Sequence, residues 1–343
     1  MRVALDAQLT VGTATGIGEY VRGLAPALRR AGLDVVELCE PRLDPWRFDR
    51  RVVWDQFLLP RRARAAHADL LHCAAGTIPL RAGVPVVATV HDVAWFEAQS
   101  HAPAYARYYF GPFSLARYRN ASRIVADSAF SREALLRLLG DVDPGRVQAV
   151  HPGVAADFCE LAREGGDGRT ILAVGTVERR KNLEVLVRAL AHLDGARLVA
   201  VGPKTPYAAQ CLALALELGV ADRFELSGYV PRERLRALYR RCAVAAVPST
   251  YEGFGYAAAQ ALCAGVPCVV SDRTSLPEVA GGDAPVVAAG DARAWAQALE
   301  PALRGEGDER AARARARAIE RFSWESSARE TARVYREALE AGP

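Results

Sequence analysis

The chain has 343 residues, 51% of them hydrophobic and 24% charged, which is the composition of a folded globular protein. A chain of this length usually forms two domains, because one hydrophobic core rarely grows so large. The apolar runs are too short to cross a bilayer, and a net charge of +4 gives no reason to expect a nucleic-acid partner.

The N-terminus and the cysteines indicate the compartment. The first ten residues contain no signal-peptide core, because Asp6 interrupts the apolar residues. The seven cysteines form no Cys-x-x-Cys pair, and most lie in apolar segments. We expect reduced core cysteines, neither in disulfides nor bound to metal. We therefore expect a cytoplasmic protein, either free or peripheral at the inner face of the membrane.

Short β-like runs alternate with helical patterns along the chain, which predicts α/β domains with parallel sheets covered by helices. In the first half we predict strands at 3–5, 35–38, 69–72, 86–90, 124–126 and 147–150. The helices between them are predicted at 18–30, 57–66, 105–122 with a break at Pro112, and 131–140.

Residues 160–169 are polar, contain three glycines and show no apolar period, so we predict a linker there. The alternation then restarts, with strands predicted at 170–174, 198–201, 224–226, 243–247, 268–270 and 286–288. Helices are predicted at 183–192, 207–218, 232–241, 256–264 and beyond residue 293. The linker separates an N-terminal domain, 1–159, from a C-terminal domain, 170–322.

The turn 249–255 lies between a buried strand and an Ala-rich helix. Glu252 is therefore expected at the carboxyl end of a parallel strand, the edge at which open α/β sheets bind ligands. The free N–H groups of the following helix suit a phosphate. Gly253 and Gly255 would let the backbone approach a ligand closely.

A second strand–loop–helix unit, residues 175–182, carries basic side chains. Arg180 and Lys181 follow a predicted strand and precede a helix, for which Asn182 is the predicted N-cap. Arginine grips phosphate oxygens with a fork, and lysine adds a point charge. Together they could hold a diphosphate without a metal.

Two features of the first half also follow strands. Residues 13–20 contain Gly16 and Gly18, but Val21 stands where a dinucleotide fingerprint needs its third glycine. We interpret these glycines as a loop over a shared cleft. His91 closes the strand 86–90, and this position favours a functional role over a packed or capping histidine. The remaining histidines show no metal-ligand spacing, so we predict no metal site.

Two arginine-containing segments leave alternatives open. Residues 105–123 interleave aromatics with arginines, which fits either core packing with a charged outer face or an acceptor-binding or membrane-surface face. In 309–321, the arginines at 310, 313, 317 and 321 share one helical face. That pattern predicts a solvated surface helix or, alternatively, contact with an anionic surface.

Taken together, these motifs resemble those of the retaining nucleotide-sugar glycosyltransferases of family 4, which have the GT-B fold. The likeness covers nearly the whole chain. Residues 16–18 resemble the N-terminal glycine loop, 175–182 the diphosphate-binding segment, and 252–255 the start of the Glu-x-Phe-Gly signature. Residues 265–267 and 275–279 continue the pattern.

The resemblance implies two Rossmann-like domains facing a cleft, with the donor on the second and the acceptor on the first. A C-terminal helix, 323–343, would cross back to the first domain. The implied donor-binding residues are Gly16, Gly18, Gly175, Arg180, Lys181, Ser249, Glu252, Gly253, Phe254, Gly255 and Gln260. Arg180 and Lys181 would stabilise the departing diphosphate. Glu252 would bind sugar hydroxyls, and His91 would contact the sugar or the reacting phosphate.

One position departs from the family pattern. The signature has a second Glu eight residues after the first, where it usually accepts hydrogen bonds from ribose, and this chain has Gln260 there. Glutamine keeps one carbonyl acceptor but loses the charge and the two-oxygen fork. We expect weaker ribose binding or an altered nucleotide preference, with an inactive protein as the alternative.

The activity implied by the resemblance is hexose transfer with retention, without a metal or a cofactor. GDP-mannose is the first choice of donor and UDP-sugars the second, and the acceptor would be a glycan, a lipid-linked glycan or a small molecule. The competitors are an epimerase or phosphorylase of the same fold, a two-domain dehydrogenase disfavoured by the glycine spacing, and a non-catalytic binder suggested by Gln260.

Overall fold

Strands and helices alternate along the described chain, as predicted. The computed structural model describes residues 1–12, 16–97, 104–163 and 165–341. The strands are β1 (Arg2–Asp6), β2 (Asp34–Leu38), β3 (Leu70–Cys73), β4 (Val86–Val90), β5 (Arg123–Ala126), β6 (Val147–Ala149), β7 (Thr170–Val174), β8 (Arg197–Val201), β9 (Phe224–Gly228), β10 (Val244–Val247), β11 (Cys268–Ser271) and β12 (Val286–Val287). The α-helices are α1 (Gly16–Arg30), α2 (Phe48–Val53), α3 (Leu59–Ala65), α4 (Ala94–Glu97), α5 (Ala104–Tyr108), α6 (Ser114–Tyr118), α7 (Ala129–Leu139), α8 (Ala156–Cys159), α9 (Leu183–Leu190), α10 (Tyr207–Glu217), α11 (Arg232–Arg241), α12 (Tyr256–Cys263), α13 (Leu276–Ala280), α14 (Ala292–Leu303), α15 (Asp308–Arg321) and α16 (Trp324–Glu340).

The helix predicted at 57–66 begins earlier than the sequence indicated. A π-helical turn, Trp54–Leu58, joins α2 to α3, so the helical segment starts at Phe48. Its inward-facing residues include the charged pair Arg51 and Asp55, whose Nη2 and Oδ1 atoms lie 2.9 Å apart and are buried. The hydrophobic pattern missed this part of the helix because charged side chains occupy its buried face.

The chain divides into two compact units, each with its own sheet. The first unit comprises Met1–Gly153 and Ser323–Pro343, and the second comprises Val154–Phe322. The division lies before the predicted linker, because Val154, Phe158 and Leu161 are buried in an apolar cluster of the second unit. α8 therefore belongs to the second unit, although the sequence analysis assigned it to the first domain.

Both sheets are six-stranded and parallel. The first has the order β2-β1-β3-β4-β5-β6, and the second has the order β12-β11-β10-β7-β8-β9. In the second sheet β7 and β10 are neighbours, and the chain leaves them towards opposite edges of the sheet. Such a switch point leaves a crevice at the carboxyl ends of the two strands. The loops that follow β7 and β10 are the two motif-bearing loops of the second half.

The last helix, α16, packs on the first unit. Ser323 caps it by accepting a hydrogen bond from the Ser326 amide. The Trp324 ring lies so close to α1 that a Cβ at Gly23 would be 2.0 Å from it, so only glycine fits there. Buried His72 contacts the Tyr335 hydroxyl at 2.6 Å through Nδ1 and the Thr89 hydroxyl at 2.7 Å through Nε2. This polar network links the C-terminal helix to β3 and β4.

The buried His72 makes the first unit sensitive to acid. Burial, and secondarily the nearby His91 charge, lower the pKa of His72 to about 3. Below about pH 6.5, His72 is protonated in the unfolded chain but stays neutral in the folded chain. The free energy of unfolding therefore falls as the pH drops towards 3. Between about pH 6.5 and pH 3, we expect His72 to lower the free energy of unfolding by about 1.4 kcal/mol for each pH unit.

Chemical denaturation of the wild type and His72→Gln between pH 7 and 4.5 measures this contribution, and the variant should show the shallower pH dependence. His67→Asn is the matched control, because His67 is an exposed histidine of the same unit with a left-handed backbone that asparagine tolerates. Equal slopes in the wild type and His72→Gln would contradict the assignment.

Candidate functional site

Glu252 is the centre of a polar cluster at the carboxyl ends of β7 and β10. Its side chain, only 7% exposed, lies in the loop after β10. Oε1 accepts hydrogen bonds from Lys181 Nζ at 2.5 Å and from Ser249 Oγ at 2.7 Å, and Oε2 lies 3.4 Å from Arg180 Nη1. Burial alone would raise the pKa of Glu252, but the charges of Lys181 and Arg180 and the two short hydrogen bonds outweigh it and lower the pKa. Glu252 is therefore an ionised, buried carboxylate at neutral pH.

Arg180 is shared between two carboxylates, those of Glu252 and Glu178. Arg180 Nη2 also lies 2.8 Å from Glu178 Oε1, and its Nη1 donates to the Tyr251 carbonyl at 3.2 Å. Two positive and two negative side chains therefore balance. The family resemblance implies that the two cations bind a diphosphate and that Glu252 binds sugar hydroxyls. The structure adds that these side chains contact one another, so a diphosphate would compete with carboxylates for the same N–H donors.

Backbone contacts hold the two loops together. The Thr250 amide donates to the Arg180 carbonyl at 2.8 Å. Asn182 is at the N-cap position of α9, as predicted, but its side chain does not cap the helix. Its Nδ2 donates instead to the carbonyls of Pro248 and Ala289, at 3.0 and 2.8 Å. The residue adopts a left-handed conformation (φ 53°), which asparagine tolerates better than most residues.

Close packing explains two glycines in and beside these loops. Gly255, directly before α12, has φ 97°, and a Cβ there would lie 2.7 Å from Leu276 Cδ2. A Cβ at Gly202, after β8, would lie 2.1 Å from the carbonyl oxygen of Gly175. Both positions therefore require glycine. Gly175 itself follows β7, and a Cβ there would meet the Lys181 side chain at 3.3 Å, so the lysine runs directly over it.

The supporting contacts around Glu252 come from the segment after β11, to which the sequence analysis gave no role of its own. Thr274 Oγ1 accepts a hydrogen bond from the Glu252 amide at 3.0 Å, and Ser275 Oγ lies 3.0 and 2.9 Å from the carbonyls of Glu252 and Phe254. Thr274 has φ 53°, which is unusual for a β-branched residue. The family-like stretch 275–279 was the signal that could have drawn attention to this segment.

Three other predicted donor-binding residues, Phe254, Gln260 and Gly253, differ in their surroundings. The Phe254 ring is buried and packs edge-to-face against Tyr256 and Phe322. Its side chain is thus part of the core, and only its backbone can face a ligand. Gln260 is half-buried on α12. Gly253 is buried in the loop between Glu252 and Phe254.

In the first unit, both ring nitrogens of His91 already have protein partners. Nδ1 lies 2.7 Å from Asp127 Oδ2, and Nε2 lies 2.8 Å from the Ala74 carbonyl oxygen. Burial alone would lower the pKa of His91, but the charge and hydrogen bond of Asp127 outweigh it and raise the pKa. Since both partners are acceptors, the doubly protonated ring fits this site. A hydrogen bond from a ring nitrogen to a sugar would require one of these two hydrogen bonds to open.

The glycine cluster of the first half is only partly described. Residues 13–15 lie outside the described ranges. Gly16 and Gly18 form the first turn of α1 and are not an extended loop. Gly18 is buried there, and Gly16 is exposed.

The two arginine-containing segments have different surroundings. Within 105–123, Tyr105 and Tyr108 are exposed while Tyr109 and Tyr118 are buried, so the segment provides both core packing and an exposed aromatic face. Contact of that face with an acceptor or a membrane stays a prediction. On α15, Arg321 donates to the carbonyls of Glu278 and Val279 at 2.8 and 2.6 Å, and the other arginines of that face contact the following side chains or carbonyls: Arg310 with Gly282, Arg313 with Glu309, and Arg317 with Asp283.

Within residues 1–12, 16–97, 104–163 and 165–341, every helix is too short or too polar to cross a membrane. The same residues contain no group of three or more His, Cys, Asp or Glu side chains placed to bind a metal ion.

Comparison with known families follows the division of the chain. The family model for Glycosyltransferase Family 4 matches residues 14–158, and the model for glycosyl transferases group 1 matches residues 162–321. A D-inositol 3-phosphate glycosyltransferase of Xylanimonas cellulosilytica is 34% identical over 76% of this chain and 68% of its own length. The chain belongs to glycosyltransferase family 4.

Other relatives of this family 4 chain agree in name and are longer than it. The D-inositol 3-phosphate glycosyltransferase of Mycolicibacterium smegmatis is 33% identical over 60% of this chain and 50% of its own length. The chain thus spans about half to two thirds of the curated relatives it matches. Glycosyl transfer is the class of activity that these relatives support.

Solved structures show that the family 4 chain has the GT-B fold. Sucrose-phosphate synthase from Thermosynechococcus elongatus matches with a TM-score of 0.76 at 22% identity, covering 99% of both chains. HepE of Anabaena, in complex with UDP and glucose, matches with a TM-score of 0.71 at 16% identity, covering 98% of this chain and 99% of that one. At these identities the likeness concerns the fold, two α/β units with parallel sheets, as expected from the sequence.

Proposed function

We propose that this family 4 glycosyltransferase moves a hexose from a nucleotide sugar to a hydroxylated acceptor, with retention of anomeric configuration and without a divalent metal ion. The observation that carries the proposal is the cluster of Lys181, Arg180, Ser249 and Glu252 at the switch point of the second sheet. The two cations can stabilise a departing diphosphate, and the ionised carboxylate can stabilise the positive charge that develops on the sugar.

The chemistry follows from where charge develops. As the glycosidic bond breaks, negative charge grows on the diphosphate, and Lys181 and Arg180 would stabilise it in place of a metal ion. The Lys181 side chain is 20% exposed and that of Arg180 is 33% exposed, so both can reach a ligand. The amides that follow Gly255 at the start of α12 add a second set of N–H donors.

Glu252 would act on the sugar, the other product of bond cleavage. Its lowered pKa keeps it anionic, so it can accept hydrogen bonds from sugar hydroxyls and favour positive charge at the anomeric carbon. Retention without a protein nucleophile fits a displacement in which the acceptor enters on the face from which the diphosphate leaves. His91 stays a candidate for contact with the sugar, on the basis of the family resemblance.

For the donor and acceptor, we propose a UDP-hexose and a small polyol or sugar phosphate. HepE has been solved with UDP, with UDP and glucose, and with UDP-glucose, and the curated relatives are named for D-inositol 3-phosphate. GDP-mannose, the first choice from the sequence, stays as the alternative donor. Gln260 lies where the family's ribose-binding Glu is expected, so nucleotide preference is the property most open to change.

A donor panel tests these proposals in two stages. Thermal shift with UDP, GDP and their sugars should show the largest stabilisation with the uridine compounds, since a ligand that binds only the folded state raises its stability. Release of the nucleoside diphosphate should then depend on the added acceptor and persist in EDTA. NMR of the product should show the anomeric configuration of the donor.

Each competing function predicts a different outcome of that panel. Binding without release would identify a non-catalytic binder, and conversion of the donor without acceptor would identify an epimerase. Phosphate-dependent release of a sugar phosphate would identify a phosphorylase, and a nicotinamide absorbance change would identify a dehydrogenase. Loss of activity in EDTA, restored by a divalent ion, would contradict the metal-independent mechanism.

A further inference from the structure

The loop after β11 holds the main chain of Glu252 on both sides. The Glu252 amide donates to Thr274 Oγ1 at 3.0 Å, and the Ser275 hydroxyl donates to the Glu252 carbonyl at 3.0 Å. At the start of the same loop, the Ser271 hydroxyl donates to the Ser249 carbonyl at 2.5 Å. Glu252 lies outside the helices and strands of its unit, so these side chains fix its backbone.

Thr274 has a backbone conformation that threonine rarely adopts. The Leu276 amide donates to the Arg273 carbonyl at 3.1 Å, which closes a tight turn with Thr274 at its first central position. Thr274 has φ 53°, and in the part of the chain that the structure describes it is the one β-branched residue with a positive φ. Glycine, asparagine and aspartate dominate such turn positions, because a β-branched side chain is strained there.

The strained turn and the hydrogen bond to Glu252 belong to the same residue. Backbone strain lowers stability and persists only where the surrounding structure imposes it, most often at functional sites. Glycine at position 274 would relieve the strain, but it would also remove the hydroxyl that accepts the Glu252 amide. The threonine side chain therefore gives Glu252 a hydrogen-bond acceptor at a cost in local stability.

We propose that Thr274 is a positioning residue, whose hydroxyl holds the Glu252 main chain so that the carboxylate stays beside Lys181 and Ser249. The contacts of Glu252 Oε1 with Lys181 Nζ and Ser249 Oγ, at 2.5 and 2.7 Å, leave little freedom for the backbone that carries it. This inference rests on the proposed function, in which Glu252 stabilises positive charge on the sugar. An electrostatic group acts on a transition state only while it is held in place, so a displaced Glu252 lowers kcat.

Three variants of the full chain separate the hydroxyl from the strain. Thr274→Ser keeps the hydroxyl and should keep most of the wild-type kcat. Thr274→Ala and Thr274→Gly both remove the hydroxyl and should each lower kcat on the order of tenfold. Thr274→Gly should nevertheless melt about 2–4 °C above Thr274→Ala, because glycine tolerates a positive φ and alanine does not. The rate would then follow the hydroxyl and not the stability.

A double variant tests whether Thr274 acts through Glu252. Thr274→Ala/Glu252→Gln should be no slower than Glu252→Gln alone, because two residues that act as a unit give non-additive losses. Thr170→Ala is the matched control, since the Thr170 hydroxyl lies 2.5 Å from Asp167 Oδ2 at the start of β7, the opposite edge of the sheet. It should lower the melting temperature and leave kcat unchanged.

The outcomes separate this inference from the proposed function. No sugar transfer by the wild type would overturn both. An active wild type together with a near-wild-type kcat for Thr274→Ala, or with additive losses in the double variant, would overturn the positioning role alone. Thr274→Ala melting at or above Thr274→Gly would overturn the strained turn. The supporting result is a loss of kcat in the alanine and glycine variants that serine avoids and that Glu252→Gln masks.

Discussion

Replacing Glu252 with glutamine is expected to lower kcat by roughly 10²–10³-fold, about 3–4 kcal/mol, the cost of removing one preorganised electrostatic group. The same change should leave the affinity for a nucleoside diphosphate unchanged or higher. The reason is that Glu252 now neutralises Lys181 and Arg180, with contacts of 2.5 and 3.4 Å. Without its charge, both cations attract the diphosphate more strongly, while the developing sugar cation loses its counter-charge.

Initial-rate kinetics and calorimetric titration with UDP measure the two effects separately. Glu178→Gln is the matched control, because Glu178 also pairs with Arg180 but is one-third exposed. We expect less than a fivefold change for it, as for a solvent-screened ion pair. A loss of UDP affinity as large as the loss of kcat would indicate that Glu252 only holds the loop, and circular dichroism would show whether the fold is retained.

Arg180→Ala removes the guanidinium and should lower kcat/KM by roughly 10²–10³-fold. The reason is that its N–H donors stabilise the diphosphate most strongly when the diphosphate carries its full charge. UDP affinity should fall as well, in contrast to the Glu252 variant. Arg180→Lys should recover part of the activity, since it restores the charge but not the fork. Steady-state kinetics of the wild type, Arg180→Ala and Arg180→Lys therefore separate the effect of the positive charge from that of the forked guanidinium.

Arg179→Ala is the control for this experiment. Arg179 is the neighbouring residue in the same 3-10 turn, but its Nη2 donates to Gln210 Oε1 at 2.9 Å and its guanidinium lies over the Tyr207 ring. It therefore contacts α10 and not the Glu252 cluster, and its loss should change kcat/KM only slightly. A near-wild-type rate for Arg180→Ala, or equal losses for both variants, would reject the role assigned to Arg180.

The fold class and the position of the motif loops could be predicted from the sequence. Buried parallel strands are continuous apolar runs such as residues 170–174 and 244–247, and glycine or proline marks where they end. These are local properties of the chain. The predicted break at Pro112 is another local property, since proline lacks the amide that a helix needs, and the structure has non-helical angles at Gly111.

Partners that are distant in sequence could not be predicted. Glu252 and Lys181 are 71 residues apart and meet only because β10 lies next to β7, with β8 and β9 on the far side. The sequence placed Phe254 among ligand contacts, whereas packing directs its ring into the core.

The sequence by itself therefore determined which segments form strands, which loops carry charge and which edge of each sheet they reach. Periodicity and turn residues act over a few positions, so the local sequence is sufficient for these features. Only the tertiary structure decided which charges neutralise one another and which aromatic rings are buried. Those outcomes depend on strand order, and strand order is set by the packing of the whole unit.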